Sequence, residues 1–371
     1  MHTNELIEEA GRQLTICNAC RYCEGYCPVF PALEMRRGLT KGDVIYMAHL
    51  CHDCRACYYA CMYSSPHEFE LNVPKILSEV RLESYKGWSW PLLFGRSFTD
   101  RRVAASMVTG TIALVAILSF IWIGPATIFS RHVGPGSFYR VIPFFAMLVP
   151  ALVLVLYSAI VSLQGGARFW RETRDAVKKT TGVTSLALMI KDVVSLRWLR
   201  GGGPGCYYPK ATPSQLRRVY HSFVFYGFLA TVVSTSLAAV YQDLLHRLPP
   251  YSINSAPVIF GTVGGLAIIA GVCGLVAMKL KSDPDPSLSA MMSADYKFLI
   301  ILGLTSFSGM LVLALRNTSA MGLLLIIHLG LVAAFFLTAP YGKFVHSIYR
   351  SLALLVHHAE QARARTRSEG A

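Results

Sequence analysis

The sequence predicts an all-α membrane protein built as a small helical head followed by a six-helix transmembrane bundle. Six apolar stretches, each near the ~20 residues that a spanning helix needs, occupy the C-terminal three quarters of the chain. The stretch before them carries apolar residues at helical rather than alternating spacing. Eight of the ten cysteines lie in that first stretch, in two copies of one spacing. Apolar residues make up 53% of the chain and charged residues only 15%, far from a soluble average.

The head spans residues 1–85. Its N-terminus, MHTNELIEEAGRQ, is polar and acidic enough for a short soluble helix, with no secretory signal ahead of the cysteines. Between the cysteine runs, Pro31 to Leu50 holds Leu33, Met35, Leu39, Val44, Ile45 and Met47 with glycines at 38 and 42, which reads as short helices. Val73 to Tyr85 follows Asn72 as a capped helix with Pro74 in its first turn. Tyr85, Trp88, Trp90 and Phe94 then mark an interfacial linker, residues 86–102, where the chain reaches a bilayer.

The bundle occupies residues 103–348. Its expected spans are Val103–Ile123, Val141–Leu163, Val219–Gln242, Pro257–Met278, Phe298–Leu315 and Met321–Ala339, the last two so closely joined that they should be antiparallel neighbours. The connection 164–218 contains an amphipathic segment, Ser185 to Leu199, suited to lie along the surface. GGGPGCYYP, residues 201–209, follows as a glycine-rich turn that exposes Cys206. No Gly-Lys-Ser/Thr follows it, so it is not a phosphate loop. Residues 349–371 read as a basic tail.

Charge sets the orientation. The 164–218 connection carries Arg168, Arg171, Arg174, Lys178, Lys179, Lys191, Arg197, Arg200, Lys210, Arg217 and Arg218. Lys279, Lys281, Lys297, Arg350, Arg363, Arg365 and Arg367 lie on the same side. The opposite connections hold little beyond Arg131, Arg140 and Arg247. The positive-inside rule therefore puts both termini, and the cysteine head, on the cytoplasmic side. The formal charge of +14 is distributed around apolar segments rather than on one soluble face, which excludes a nucleic-acid reading. A basic cytoplasmic face also suits an acidic soluble partner or anionic lipid.

Cys17, Cys20, Cys23 and Cys27 form C-x₂-C-x₂-C-x₃-C followed by Pro28, and Cys51, Cys54, Cys57 and Cys61 repeat the spacing with Met62 in the proline's place. Three thiolates three residues apart on an irregular backbone reach three corners of one cubane, and the fourth cysteine of each run ligates the other cluster. The expected sets for two [4Fe-4S] clusters are Cys17, Cys20, Cys23 and Cys61, and Cys51, Cys54, Cys57 and Cys27. Structural zinc, which favours separated ligand pairs, fits this spacing poorly. Cys273, in the fourth span, reads as a small packing residue.

Ionisable residues inside spans are functional candidates. His221 opens the third span, His328 sits in the sixth, and His346 lies just beyond it. His328 and His346 are five turns apart, about 27 Å along a continuous helix, so they cannot bind one heme. His221 enters and His346 leaves on the cytoplasmic side, so the two share a level and can hold one heme b. Pro340 could bend the helix between His328 and His346. His328, nearer the outer side, could contact a second heme, a quinone or a neighbouring helix. His49, His52 and His67 read as groups near the clusters or on the surface, and His132, His246, His357 and His358 as loop or tail. No G-x-G-x-x-G turn is present, so flavin or nicotinamide should belong to a partner.

With these features laid out, the chain resembles the tricarballylate utilization protein B family, also called citrate-utilization proteins, along nearly its whole length. The carrying segments are LCHDCRACYYACMYSSPHEFELNVP (50–74), LRWLRGGGPGCYYP (196–209), RRVYHSFVFYGF (217–228) and APYGKFVHSIYR (339–350). The resemblance implies a membrane electron-transfer protein with two [4Fe-4S] clusters and heme. It would reoxidise the reduced flavin of a soluble FAD-dependent tricarballylate (or citrate-related) dehydrogenase and feed the quinone pool, as one subunit of a flavoprotein:quinone oxidoreductase system. The bundle resembles, more distantly, the heme b subunit of respiratory nitrate reductase. His221, His328 and His346 match three of that subunit's four histidines, while Thr231 stands at the fourth, which favours a single heme. The head resembles the α-helical ferredoxins of succinate dehydrogenase and heterodisulfide reductase. Service to another flavoprotein or a disulfide reductase, or a membrane redox sensor, are the competing readings.

Overall fold

The computed structural model describes residues 3–97, 100–173 and 182–369. Arg174, Lys178 and Lys179 of the long connection, and residues 98–99 of the linker, lie outside the described residues.

The head is helical, as its apolar spacing requires. Helix α1 (Thr3–Cys20) runs into the first cysteine run, and α2 (Val29–Glu34) and α3 (Lys41–Leu50) fill the space between the runs. Thr40 and Asp43 cap α3 reciprocally, which satisfies the free N–H groups of its first turn. A single turn, α4 (Ala56–Tyr59), lies inside the second run. Helix α5 (Val73–Trp88) starts with the Asn72 side chain accepting from Lys75 N and continues three residues past its expected end. The interfacial helix α6 (Leu92–Ser97) follows, with Trp90, Leu92, Leu93 and Phe94 exposed.

The bundle comprises α7 (Arg101–Ile123), α10 (Phe144–Glu172), α12 (Leu216–Asp243), α13 (Ala256–Leu280), α14 (Ser289–Ala314) and α15 (Met321–Thr338). These six are long and apolar enough to cross a membrane, making the chain a multi-pass membrane protein. Two short helices, α8 (Pro125–Ile128) and α9 (Ser137–Val141), cross the far end. Helix α15 is the central element, against α7, α10 and α14, and α13 then joins α14 to α12. Helices α12 and α13 touch backbone to backbone. A Cβ added at Gly227 would lie 2.8 Å from Gly264 O, and one at Gly264 would lie 2.7 Å from Gly227 O. Small residues give this close approach in lipid, where hydrophobic burial does not drive helices together.

Two of the spans run past the membrane into the head. Helix α10 ends nine residues beyond its expected boundary, where Glu172 accepts from Trp88 Nε1 at 2.7 Å and Arg168 donates to Gly87 O at 2.8 Å. Helix α14 begins nine residues early, so Met291 joins the head core. The head also grips the loop after α13: Arg55 donates to Ser282 and Ser287, Tyr59 to Asp283, and Asn72 to Asp285 O.

The expected basic tail is instead a helix docked on the head. Helix α16 (His346–Glu369) buries Tyr349, Ala353, Leu354, Val356 and Ala359. Glu360 meets Arg36 at 2.7 Å and Tyr46 Oη at 3.2 Å. Histidines 357 and 358, read as tail, are buried. His358 pairs with Asp192 at 3.0 Å on α11 (Val183–Val194), the helix expected from the amphipathic segment. Burial alone would raise the Asp192 carboxyl. Hydrogen bonds from His358 and Trp198, with Arg197 nearby, bring it below its ordinary value. The charged surface of α16 masked a narrow apolar stripe at helical spacing.

One buried charge cluster ties bundle to head. Asp295 on α14 accepts from Lys279 on α13 and forms an ion pair with Lys343 at 2.9 Å. Asp295→Asn would leave two buried ammonium groups uncompensated. It should cost about 3–5 kcal/mol of stability, the usual penalty for breaking a buried pair. The check is the thermal midpoint of the detergent-solubilised protein, which should fall clearly, whereas Asp283→Asn at the loop should leave it nearly unchanged.

Candidate electron-transfer site

The cysteines are brought together in two crossed fours. The Cys17 thiol is pushed up to about 12 by burial and then by Cys61, Cys23 and Cys20. Burial, Cys61 and Cys20 do the same to Cys23. In the second group Cys27 is raised by burial and by Cys54 and Cys51, and Cys57, which lies between the groups, by burial, by Cys54, Cys27 and Cys51 and least by Cys23. Each group thus holds three cysteines of one run and the last cysteine of the other. Left-handed backbone at Arg21, Asp53 and Arg55 makes the tight turns that aim successive sulfurs inward. Crowded thiols raise one another's pKa because their thiolates repel, a repulsion that iron would neutralise. Among the described residues no three His, Cys, Asp or Glu side chains are close enough to share a single metal ion. The doubled C-x₂-C-x₂-C spacing fits a multi-iron cubane better than one tetrahedral ion.

The two groups differ in depth. Cys20 is exposed, and a shallow surface pocket lined by Cys17, Cys20, Cys23, Cys57 and Cys61 opens beside the exposed Tyr22 and Met62. Cys27, Cys51 and Cys54 are buried. The glycine-rich turn covers this inner group. Tyr207 N donates to Cys54 O at 2.9 Å from a two-residue strand, β1 (Cys206–Tyr207), paired with β2 (Pro213–Ser214). Gly205, at φ +131°, could carry no side chain there, since a Cβ would lie 2.6 Å from the Ser214 backbone. Cys206, expected to be exposed, is fully buried by this turn, with its thiol 3.3 Å from Leu199 O and near Arg217. Cys273 departs in the opposite direction and is exposed on α13.

His221 and His346 face each other with ring centroids 6.3 Å apart and planes at 90°. A metal–imidazole bond of about 2 Å on each side, plus about 1 Å from nitrogen to ring centre, gives a separation of about 6 Å for two axial ligands. The pair therefore fits one heme iron. His346 Nδ1 donates to Lys343 O, which leaves Nε2 as the free lone pair. Burial, with Arg350 and Lys343 nearby, holds His346 well below its ordinary pKa, in the neutral form that can ligate. The helix between His328 and His346 is not continuous. It breaks after Thr338, where Pro340 supplies no N–H and Gly342 turns extended, so His346 starts α16 and the two histidines do not share one continuous helix. His328 lies at a different level, its Nδ1 2.9 Å from Ser308 Oγ on α14, one of the three tasks expected of it. Thr231 donates to Phe228 O on its own helix at 2.8 Å.

Four arginines, Arg55 and Arg81 buried and Arg217 and Arg350 half-buried, gather around the inner cysteines and the helices of the histidine pair. Arg350 donates to Cys51 O at 3.0 Å, Arg81 to Ala48 O at 2.7 Å and Cys51 O at 3.3 Å, and Arg217 to Asp53 O. Arg55 and Arg217 flank the Tyr208 ring at 4.3 and 5.3 Å. Arg217 and Arg350 stand four residues from His221 and His346, one helical turn each. That i,i+4 spacing was the available signal. So much buried positive charge, with Arg81 Nε and Arg350 Nε lacking partners, suits neighbours that carry negative charge, as thiolate-bound clusters and heme propionates do. His49 and His52, placed loosely by sequence, are both buried. His49 stacks on Trp88 at 5.2 Å among Tyr85, Phe169 and Tyr349, and His67 packs on Tyr63 and Phe69.

Comparison with known proteins agrees with this division of the chain. Residues 97–367 match the family described as citrate utilization protein B, and residues 10–87 match its Fer4-like domain. The chain belongs to the citrate utilization protein B family. Its similarity to a citrate utilization protein B of Escherichia coli is 39% identity over 362 residues, covering 96% of this chain and 93% of that one. No solved structure matches it. The Fer4-like match coincides with the crossed cysteine groups, so within this family the head is the iron–sulfur part and the remainder the membrane part.

Proposed function

We propose that the chain takes electrons from the reduced flavin of a soluble FAD-dependent dehydrogenase, acting on tricarballylate or a citrate-related acid, and delivers them to membrane quinone. The observation that carries this reading is the spatial order of the three sites. The outer cysteine group opens at the surface, the inner group is buried behind it, and Arg217 and Arg350 tie the inner group's backbone to the helices of the histidine pair. Bound clusters and heme b would pass one electron at a time, which splits two-electron flavin oxidation into single steps. The residues do the rest. The cysteines and histidines hold the centres, and the arginines stabilise added negative charge beside Cys51. The exposed Tyr22 and Met62 beside the outer group supply a surface on which a flavoprotein can dock. The same reading puts the head, both termini and the basic connections on the cytoplasmic side of the inner membrane.

The test is reconstitution of the full chain in liposomes with menaquinone or ubiquinone, to which a reduced tricarballylate dehydrogenase is added. Flavin reoxidation should require both the chain and the quinone. Reoxidation that proceeds without quinone, or a chain whose centres become reduced but never turn over, would favour a sensor and overturn the proposal.

A further inference from the structure

A second cavity, of about 330 Å³, lies where the head meets the bundle, at the lower end of the size range of small-molecule sites. Its walls come from five separate elements, Gly95 of α6 among them. Leu82 and Tyr85 belong to α5, Asp100 caps α7, Ala294 and Lys297 lie on the first turns of α14, and Tyr341 sits in the break before α16. The exposed Trp90, Leu92, Leu93 and Phe94 at α6 set the level as that of the lipid interface.

Three observations narrow the ligand. Tyr85 is 4% exposed and its hydroxyl has no hydrogen-bond partner, although nearly all buried hydroxyls find one. Burial raises the Tyr85 phenol, against Arg81 and Arg350, so it stays protonated and can donate. Lys297 offers a second donor within electrostatic reach of Asp100, and Lys86, the other cation of the wall, is paired with Glu83 at 2.6 Å. Tyr85 is also one turn from Arg81, which donates to Cys51 O, and its ring stacks at 5.7 Å on Tyr349, three residues from His346. Tyr85 thus lies on the helix that reaches the Cys51 backbone and against the helix that carries His346.

We propose that this cavity binds the head group of an isoprenoid quinone, with Tyr85 and Lys297 donating to its carbonyl oxygens. The proposal rests on the electron-transfer reading above and supplies its exit. The quinone ring accepts two electrons, delivered singly from the centre nearest Tyr85 and originating in the reduced flavin of the donor. Two protons from water on the head side complete two O–H bonds, and the two carbonyls become the phenols of a quinol. Ala290 and Ala294 lie one turn apart on α14 and leave the room the ring needs.

The full chain in detergent, photolabelled with an azidoquinone and mapped by peptide, tests the site. Label is expected on segments 82–100 and 290–297, displaced by decylubiquinone. Ala294→Trp should abolish specific labelling while iron and heme content stay at wild-type levels. Ala290→Trp, at an exposed position, provides a second filled cavity should the first variant fold poorly. Tyr85→Phe should weaken decylubiquinone competition about tenfold, the worth of one buried hydrogen bond. Labelling that survives both tryptophan variants, or that yields to phosphatidylglycerol but not to decylubiquinone, overturns the site. Flavoprotein-driven quinone reduction, run in parallel, separates the two readings. If wild type and both tryptophan variants reduce quinone equally, the cavity is wrong and the function stands. If wild type never reduces quinone, the function itself is wrong.

Discussion

Protein carrying His221→Ala should be purified without its heme while its iron–sulfur signals remain. The two imidazoles oppose each other at the spacing of axial ligands, and each is anchored on a different helix, so losing one leaves the iron with a single protein bond. Altering a group that merely orients a metal ligand usually costs roughly 10–100-fold in affinity, and removing the ligand itself should cost more. His346→Ala should behave identically. His328→Ala, whose side chain bonds Ser308 at another level of the bundle, should keep full heme. The measurement is the Soret band relative to cluster absorbance, with heme extracted and counted. Heme retained in both single variants, or lost in His328→Ala, would sink the assignment.

The second large effect concerns the crossed cysteines. Cys61→Ala should remove the outer cluster, although it lies in the second run, and Cys27→Ala should remove the inner cluster, although it lies in the first. Each variant should lose about half of the iron, about four atoms of about eight. The two losses should differ in their consequences. Cys61→Ala removes the surface-exposed site and leaves a buried cluster beside the arginines and the histidines. Cys27→Ala should also disturb the head core, where Cys27 packs with Val29, Phe30 and Leu50. Electron paramagnetic resonance of the reduced protein tells which cluster survives, because the inner one should retain coupling to the heme nearby. Loss of the outer cluster in Cys27→Ala would show that each run serves its own cluster.

Much of this architecture is legible along the chain because its signals are local. Hydropathy over ~20 residues finds a span without knowledge of its neighbours, and cysteine spacing reports cluster chemistry because three ligands come from one short turn. The depth argument for His221 and His346 also needed only span boundaries and chain direction. Other features have no local signal. Helices α10 and α14 run past the bilayer, and a hydropathy window cannot see that Glu172 ends beside Trp88 or that Met291 enters the head core. Cys206 was misread because glycines imply exposure on average, whereas here they let the backbone lie flat on Tyr26 and Cys54.

Helical periodicity, hydropathy and ligand spacing are properties of neighbouring residues, and they established the helical class, the six spans, the doubled cluster motif and the two facing histidines. What depended on the folded chain was every feature assembled from distant segments. The burial of Cys206 against Leu199 and Arg217 is one, and the docking of α16 through Arg36 and Glu360 is another. The arginine bonds to the Cys51 backbone and the cavity beside Tyr85 complete the set. The physical reason is common to all of them. Burial and hydrogen-bond satisfaction depend on which surfaces meet, and residues 36 and 360, or 85 and 341, become neighbours only after the helices between them have packed.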